Sequence, residues 1–318
     1  MGSPTPRQDG RTPEFAGHCT GRRVRCRRRT QRECCSTPEE RLVGSSPIRT
    51  PEFLALAALL TGLLLFTALK YPMLTLALNA ASVVMFLVSL WAAHVLLGRG
   101  RANGFAMLAL AVGWFAEQMG SSRGWFFGHY TYTDVLGATL GDVPMVIPMM
   151  WFALTLLGYV MACLILWRQP VLAAPGWLTG ALTAWLAALI VTAFDLGADP
   201  YFVFVLEAWI MEKKDGGWFG ETLQGFVGWM LIGFAIVATF QWRARPVAPS
   251  LTDPLVSRAV LVPLVIYASG LVFQLIWGHP IEVRAIAFFA MGIPLFIAAV
   301  ACFQWHQPNG PFAKGVTP

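Results

Sequence analysis

What most narrows the folds open to this chain is a train of eight long apolar stretches, at residues 53–69, 73–97, 102–118, 143–167, 177–194, 222–242, 256–277 and 281–303. At about 1.5 Å per residue, each crosses or nearly crosses a hydrocarbon layer of roughly 30 Å. In lipid every backbone N–H and C=O must find its partner inside the protein, so a continuous apolar run of this length is a helix and not a barrel strand. The expected fold is all-α, a polytopic membrane helix bundle with about eight transmembrane helices. Composition agrees: 56% of residues are hydrophobic and 13% charged, half the roughly 25% charge of a soluble domain. A shorter apolar run at 201–211, containing Trp209, is too short to span and reads as interfacial or re-entrant.

The net charge of +6 does not point to nucleic acid, because 11 of the 23 basic residues precede Phe53. Residues 1–50, with Arg22, Arg23, Arg25, Arg27, Arg28, Arg29 and Arg32 among Pro, Gly, Ser and Thr, form a basic tail without apolar periodicity, expected to be disordered and dispensable. Residues 51–305 form the expected transmembrane catalytic domain, and 306–318 a short cytoplasmic tail. Basic residues alternate between loops: Arg99, Arg101, Arg168, Arg243, Arg245, Arg258 and Lys314 share the face of the tail, assigned to the cytoplasm. Ten of the eleven acids outside the tail fall toward the other face, all but Asp253. The expected location is the inner (plasma) membrane, multi-pass, with the bilayer as one partner and the first helix as insertion signal. The six cysteines show neither a disulfide framework nor metal spacing. Tryptophans near span ends, Trp151 among them, read as interfacial anchors.

Three segments on the acidic face differ from plain loops. The first runs from Glu117 through Arg123, Gly124, Gly128, His129, Tyr130 and Tyr132. Glu117 lies about one turn inside its span, an interior setting that favours a neutral carboxyl. His129 reads more simply as a hydrogen-bonded loop residue than as an acid or base. The second places Asp195 and Asp199 four residues apart, on one helix face if the turn continues, with Pro200 expected to end it. A proton shared by these two would supply a general acid. The third holds Gly216-Gly-Trp218-Phe-Gly220 and Gly225-Phe-Val-Gly-Trp229, suited to a backbone bending around an elongated apolar ligand or to tight helix packing. Glu207, Glu212, Asp215, Glu221 and Glu282 read as ordinary solvated charges. No HExxH, histidine box, Walker loop or Gly-x-Ser-x-Gly occurs.

Together these pieces resemble the CruF-type carotenoid hydratases: Glu117 followed by Gly124, Gly128, Tyr130 and Tyr132; Gly141-Asp-Val-Pro144 with Pro148 and Trp151; Asp195 with Asp199-Pro200; Trp218-Phe-Gly220 and Phe226-Val-Gly-Trp229. The resemblance covers roughly residues 55–303. The family pattern has an apolar residue and proline after the last glycine and asparagine before Phe-x-Gly-Trp, where this chain has Glu221, Thr222 and Gly225. The resemblance implies addition of water across the terminal double bond of an acyclic carotenoid end (lycopene or γ-carotene type), without cofactor or metal, alongside other carotenoid biosynthesis enzymes. Asp195, Asp199 and Glu117 are then the catalytic candidates, and Tyr130, Tyr132, His129, Trp218, Trp229 and Arg123 the substrate-binding ones. Two rivals remain. One is an intramembrane prenyltransferase holding Mg²⁺-diphosphate on Asp195 and Asp199; the other is a proton-coupled transporter, which predicts repeated halves and midplane charges.

Overall fold

The structure, a computed structural model, describes residues 74–305 apart from 214, 215 and 252, together with Gly2. The basic tail, the apolar stretch at 53–69, the hinge at Tyr71-Pro72 and the C-terminal tail lie outside the described residues.

Seven helices occur among the described residues: α1 (Leu74–Leu97), α2 (Arg99–Arg123), α3 (Val146–Trp167), α4 (Trp177–Phe204), α5 (Leu223–Ala244), α6 (Pro254–Trp277) and α7 (Glu282–Trp305). Each corresponds to one of the seven expected spans after the first. All but α2 are long and apolar enough to cross a membrane. Helix α2 has 25 residues, about 37 Å at helical rise, but carries charge at both ends, on Arg99, Arg101, Glu117 and Arg123. The basic helix ends meet one another. The Arg101 Nε donates to the Ala244 carbonyl at 3.1 Å, and the Arg168 guanidinium donates to Gln304 Oε1. Asp253, the acid that breaks the charge asymmetry, is the N-cap of α6 and accepts from the Leu255 N–H at 2.9 Å.

Helix α3 is the axis of the bundle. It is apolar on every side, packs against each of the other six described helices, and every residue from Trp151 to Leu164 is buried. Close approach replaces hydrophobic drive between helices in lipid: a Cβ on Gly158 would lie 2.7 Å from the Ala187 carbonyl of α4, so only glycine fits there.

The bundle is all-α as expected, with two short strand pairs in its loops: β1 (Tyr130–Tyr132) pairs antiparallel with β4 (Trp209–Met211), and β2 (Thr139–Leu140) pairs with β3 (Val143–Pro144). The 201–211 stretch is thus the last turn of α4 followed by a strand. One finding corrects the expectation from sequence: Pro200 does not end its helix, which continues to Phe204. A proline ring leaves the carbonyl four residues back without its donor. Here that carbonyl belongs to Leu196, and the Trp218 indole N–H donates to it at 3.0 Å, so the turn survives on a side-chain bond. Close by, the Gln274 amide of α6 donates to the Phe194 carbonyl at 2.8 Å.

Candidate active site

Helix α2 stops at Gly124, whose φ of 69° is the left-handed C-cap conformation that glycine adopts without strain. The chain then turns back and pairs β1 with β4. Because successive strand residues face opposite ways, Tyr130 and Tyr132 project to the same side, while Thr131 is exposed. Both phenols reach Glu117. The Tyr130 and Tyr132 hydroxyls donate to Oε2, the latter at 2.8 Å, and the Trp151 indole of α3 donates to Oε1 at 2.8 Å. Glu117 is buried, and three donors converging on its two oxygens suit a carboxylate. Burial and the neighbouring Glu117 charge push both phenols well above the usual tyrosine value, so they remain donors.

The β2–β3 hairpin braces this end of α2. The Gln118 amide donates to Asp142 Oδ2 at 2.5 Å and accepts from the Asp142 N–H at 2.9 Å, and the Trp114 indole donates to the Leu140 carbonyl at 3.0 Å. The Gly141-Asp-Val-Pro144 motif is therefore a turn and strand that fix the helix carrying Glu117.

Asp195 and Asp199 of α4, one turn apart, and Glu221 line one cavity together with Glu117. Glu221, read from sequence as a solvated charge, is only 2% exposed. Its position follows from the turn at Gly216–Glu221, closed by bridges between Gly216 and Gly220 and between Trp218 and Glu221. Trp218 pins that turn to Leu196 and packs edge-on against Phe226, which sets Glu221 over Asp199. The Asp199 carboxyl has that of Glu221 for a neighbour as well as that of Asp195. Burial pushes the Glu221 carboxyl above the ordinary range, and the bond with Asp199 partly offsets that. Asp195 Oδ2 and Glu221 Oε1 are buried without a protein partner. No Lys, Arg or His lines the cavity among the described residues.

The walls are aromatic near the carboxyls and aliphatic beyond. Trp151 stacks on Trp229 with centroids 4.3 Å apart, and Phe127 leans on both. Tyr132 meets Trp209 edge-on at 5.9 Å, and Trp209 stacks on Phe202 at 5.6 Å. Trp151, expected to anchor at the interface, is 1% exposed and belongs to this wall. The lining also includes the aliphatic side chains of Leu78 and Met85 on α1, Leu154 on α3 and Ile266 on α6.

Of the residues singled out from sequence, Glu117, Tyr130, Tyr132, Asp195, Asp199 and Trp229 line this cavity. Trp218 acts one layer behind it through Leu196. Arg123 and His129 are exposed and lie outside the lining; the His129 ring covers Gly124. Among the described residues no group of three His, Cys, Asp or Glu side chains is arranged to hold a metal ion. Trp151 and Glu221 were missed because composition makes a tryptophan near a span end an anchor and a loop glutamate solvated. Only their appearance in the family constellation and at its point of departure set them apart.

Residues 72–297 match a family described as carotenoid biosynthesis protein. Over 171 residues the chain is 31% identical to the bisanhydrobacterioruberin hydratase of Haloarcula japonica, covering 51% of this chain and 55% of that protein. The chain thus spans about half the length of the curated relative it matches. No solved structure matches.

Proposed function

Since the chain belongs to the carotenoid biosynthesis protein family, we propose that it is a carotenoid hydratase, a hydro-lyase adding water to the terminal 1,2 double bond of an acyclic end of the lycopene or γ-carotene type. The single observation carrying this reading is a buried carboxyl with an open oxygen, Asp195 Oδ2, at the aromatic end of an apolar cavity.

The chemistry suits those groups. Transfer of the Asp195 proton to the CH carbon of a trisubstituted alkene leaves a tertiary cation, which water then captures. That cation needs a dry setting, electron-rich faces and a fixed negative charge. Trp151, Trp229, Tyr130 and Tyr132 offer the faces, and Glu117, tied by three donors, supplies preorganised charge without being free to collapse onto the cation. The cavity receives the tip of a long polyene whose remainder lies among helices or lipid, since an extended carotenoid is about as long as a membrane of roughly 30 Å is thick. The hydratase named for the haloarchaeal relative is the same reaction type. The protein would work as a multi-pass protein of the plasma membrane, with the acidic face away from the cytoplasm and neighbouring carotenoid enzymes as its suppliers.

Expression in a bacterium making lycopene or γ-carotene tests this. The expected pigment gains the mass of one water, and Asp195→Asn abolishes the gain while the protein still accumulates in the membrane. Gain of a prenyl unit, unchanged pigment, or full hydration by Asp195→Asn would each overturn the reading.

A further inference from the structure

Hydrating an alkene consumes no net proton: one is delivered to carbon and another leaves the attacking water. A site that donates through Asp195 leaves a second buried carboxyl free to collect the water proton, provided a route returns it to Asp195. Glu117 is poorly placed for collection, since its two oxygens already accept three hydrogen bonds.

We propose that Glu221 is the catalytic base for the water and that Asp199 returns the proton to Asp195. This rests on the hydratase reading above. The geometry that carries it is a set of three carboxyls lining one cavity. Asp195 and Glu221 are each more than nine-tenths buried and each present an oxygen without a protein partner. Asp199 neighbours both, one turn from Asp195 on α4 and hydrogen-bonded to Glu221. Carboxylates only accept hydrogen bonds, so a bond between two of them holds a proton. Glu221 precedes Thr222, the N-cap of α5, and so sits outside the spans, whereas Asp195 lies within a span.

The cycle balances without any further reagent. The Asp195 O–H bond breaks as a C–H bond forms; water adds its oxygen to the tertiary carbon; Glu221 Oε1 takes the proton from the resulting oxonium. Asp199 then gives its proton to Asp195 and receives one from Glu221, restoring the starting state. The other ionisable groups lining this cavity are Glu117 of α2 and Tyr130 and Tyr132 of β1.

Glu221→Gln keeps the size of the side chain and a bond to Asp199 but cannot take a proton. In D₂O, with purified protein in detergent and an acyclic carotenoid, this variant is expected to lose at least about 100-fold in alcohol formation. It should still place deuterium in the recovered carotenoid, because the cation forms and returns a proton to Asp195. Glu221→Asp, which keeps a shorter carboxyl, should recover part of the hydration, and Asp195→Asn should lose both signals. Wild-type hydration by Glu221→Gln, or loss of exchange together with hydration in a variant that elutes as the wild type does, overturns the role of Glu221. Wild-type protein that neither hydrates nor exchanges overturns the functional reading itself.

Discussion

Replacing Trp218 by phenylalanine removes the N–H that stands in for the one Pro200 lacks. The Leu196 carbonyl then loses its 3.0 Å donor. Leaving a buried carbonyl unsatisfied costs about 1–3 kcal/mol; both residues here are half-buried, so the lower end, about 1 kcal/mol, applies. Lost indole packing against Phe226 adds an amount that does not depend on residue 200. A double-mutant cycle separates the two. In a Pro200→Ala background the alanine N–H can bond to Leu196 within the helix, so Trp218→Phe should cost less there. The expected coupling is about 1 kcal/mol, or about fivefold in the unfolding constant. Read as melting temperature in detergent micelles, this is a difference of about 2–4 °C between the two backgrounds. Equal costs in both backgrounds would show that Trp218 packs without replacing the missing donor, and that the helix passes Pro200 for another reason.

Gly113→Ala should disturb the site from behind: the added Cβ would lie 2.7 Å from Trp151 Cγ, too close to stay. The helix propensity gained, about 1 kcal/mol, is matched or exceeded by overpacking of about 1–3 kcal/mol. Displacing the indole that bonds Glu117 should lower hydration between about ten- and a hundredfold, measured as product per folded protein; unchanged turnover would show that Trp151 does not position Glu117. For Glu221 the linkage sign is that of a raised carboxyl. Its protonated form is favoured in the fold, so its stabilising contribution is complete below the ordinary value of 4.5 and is lost as pH rises through the higher folded value. Glu221→Gln should therefore flatten the decline in stability on the alkaline side of 4.5, measured by thermal unfolding across pH, and parallel wild-type and variant curves would refute this.

The helices were legible because lipid leaves the backbone few alternatives: an apolar run of sufficient length has to be a helix, and seven runs from 73 onward are. The strands were not legible. Three residues around Tyr130 carry no decisive period, and their partner at Trp209–Met211 lies about eighty residues further along the chain. The passage of α4 through Pro200 escaped for the same reason, since the compensating donor sits on another loop. At the site, acids near span ends and glycine-aromatic segments marked Glu117, Tyr130, Tyr132, Asp195, Asp199 and Trp229, which the fold gathers around one cavity. Glu221 was hidden because its burial depends on a turn held by Trp218, a tertiary fact without local signature. Arg123 and His129, close to Glu117 in sequence, are carried to the surface by the turn at Gly124.

The cavity lining, four acids and a ring of aromatic faces without a Lys, Arg or His among the described residues, is half of an ion pair. Its missing half cannot come from the surrounding walls; it has to enter with the ligand or be created from it. A neutral hydrocarbon meets this cavity with indifference until the moment it becomes positive, and an amine shaped like the hydrated end, carrying its charge from the outset, should find a stronger welcome there than the substrate does.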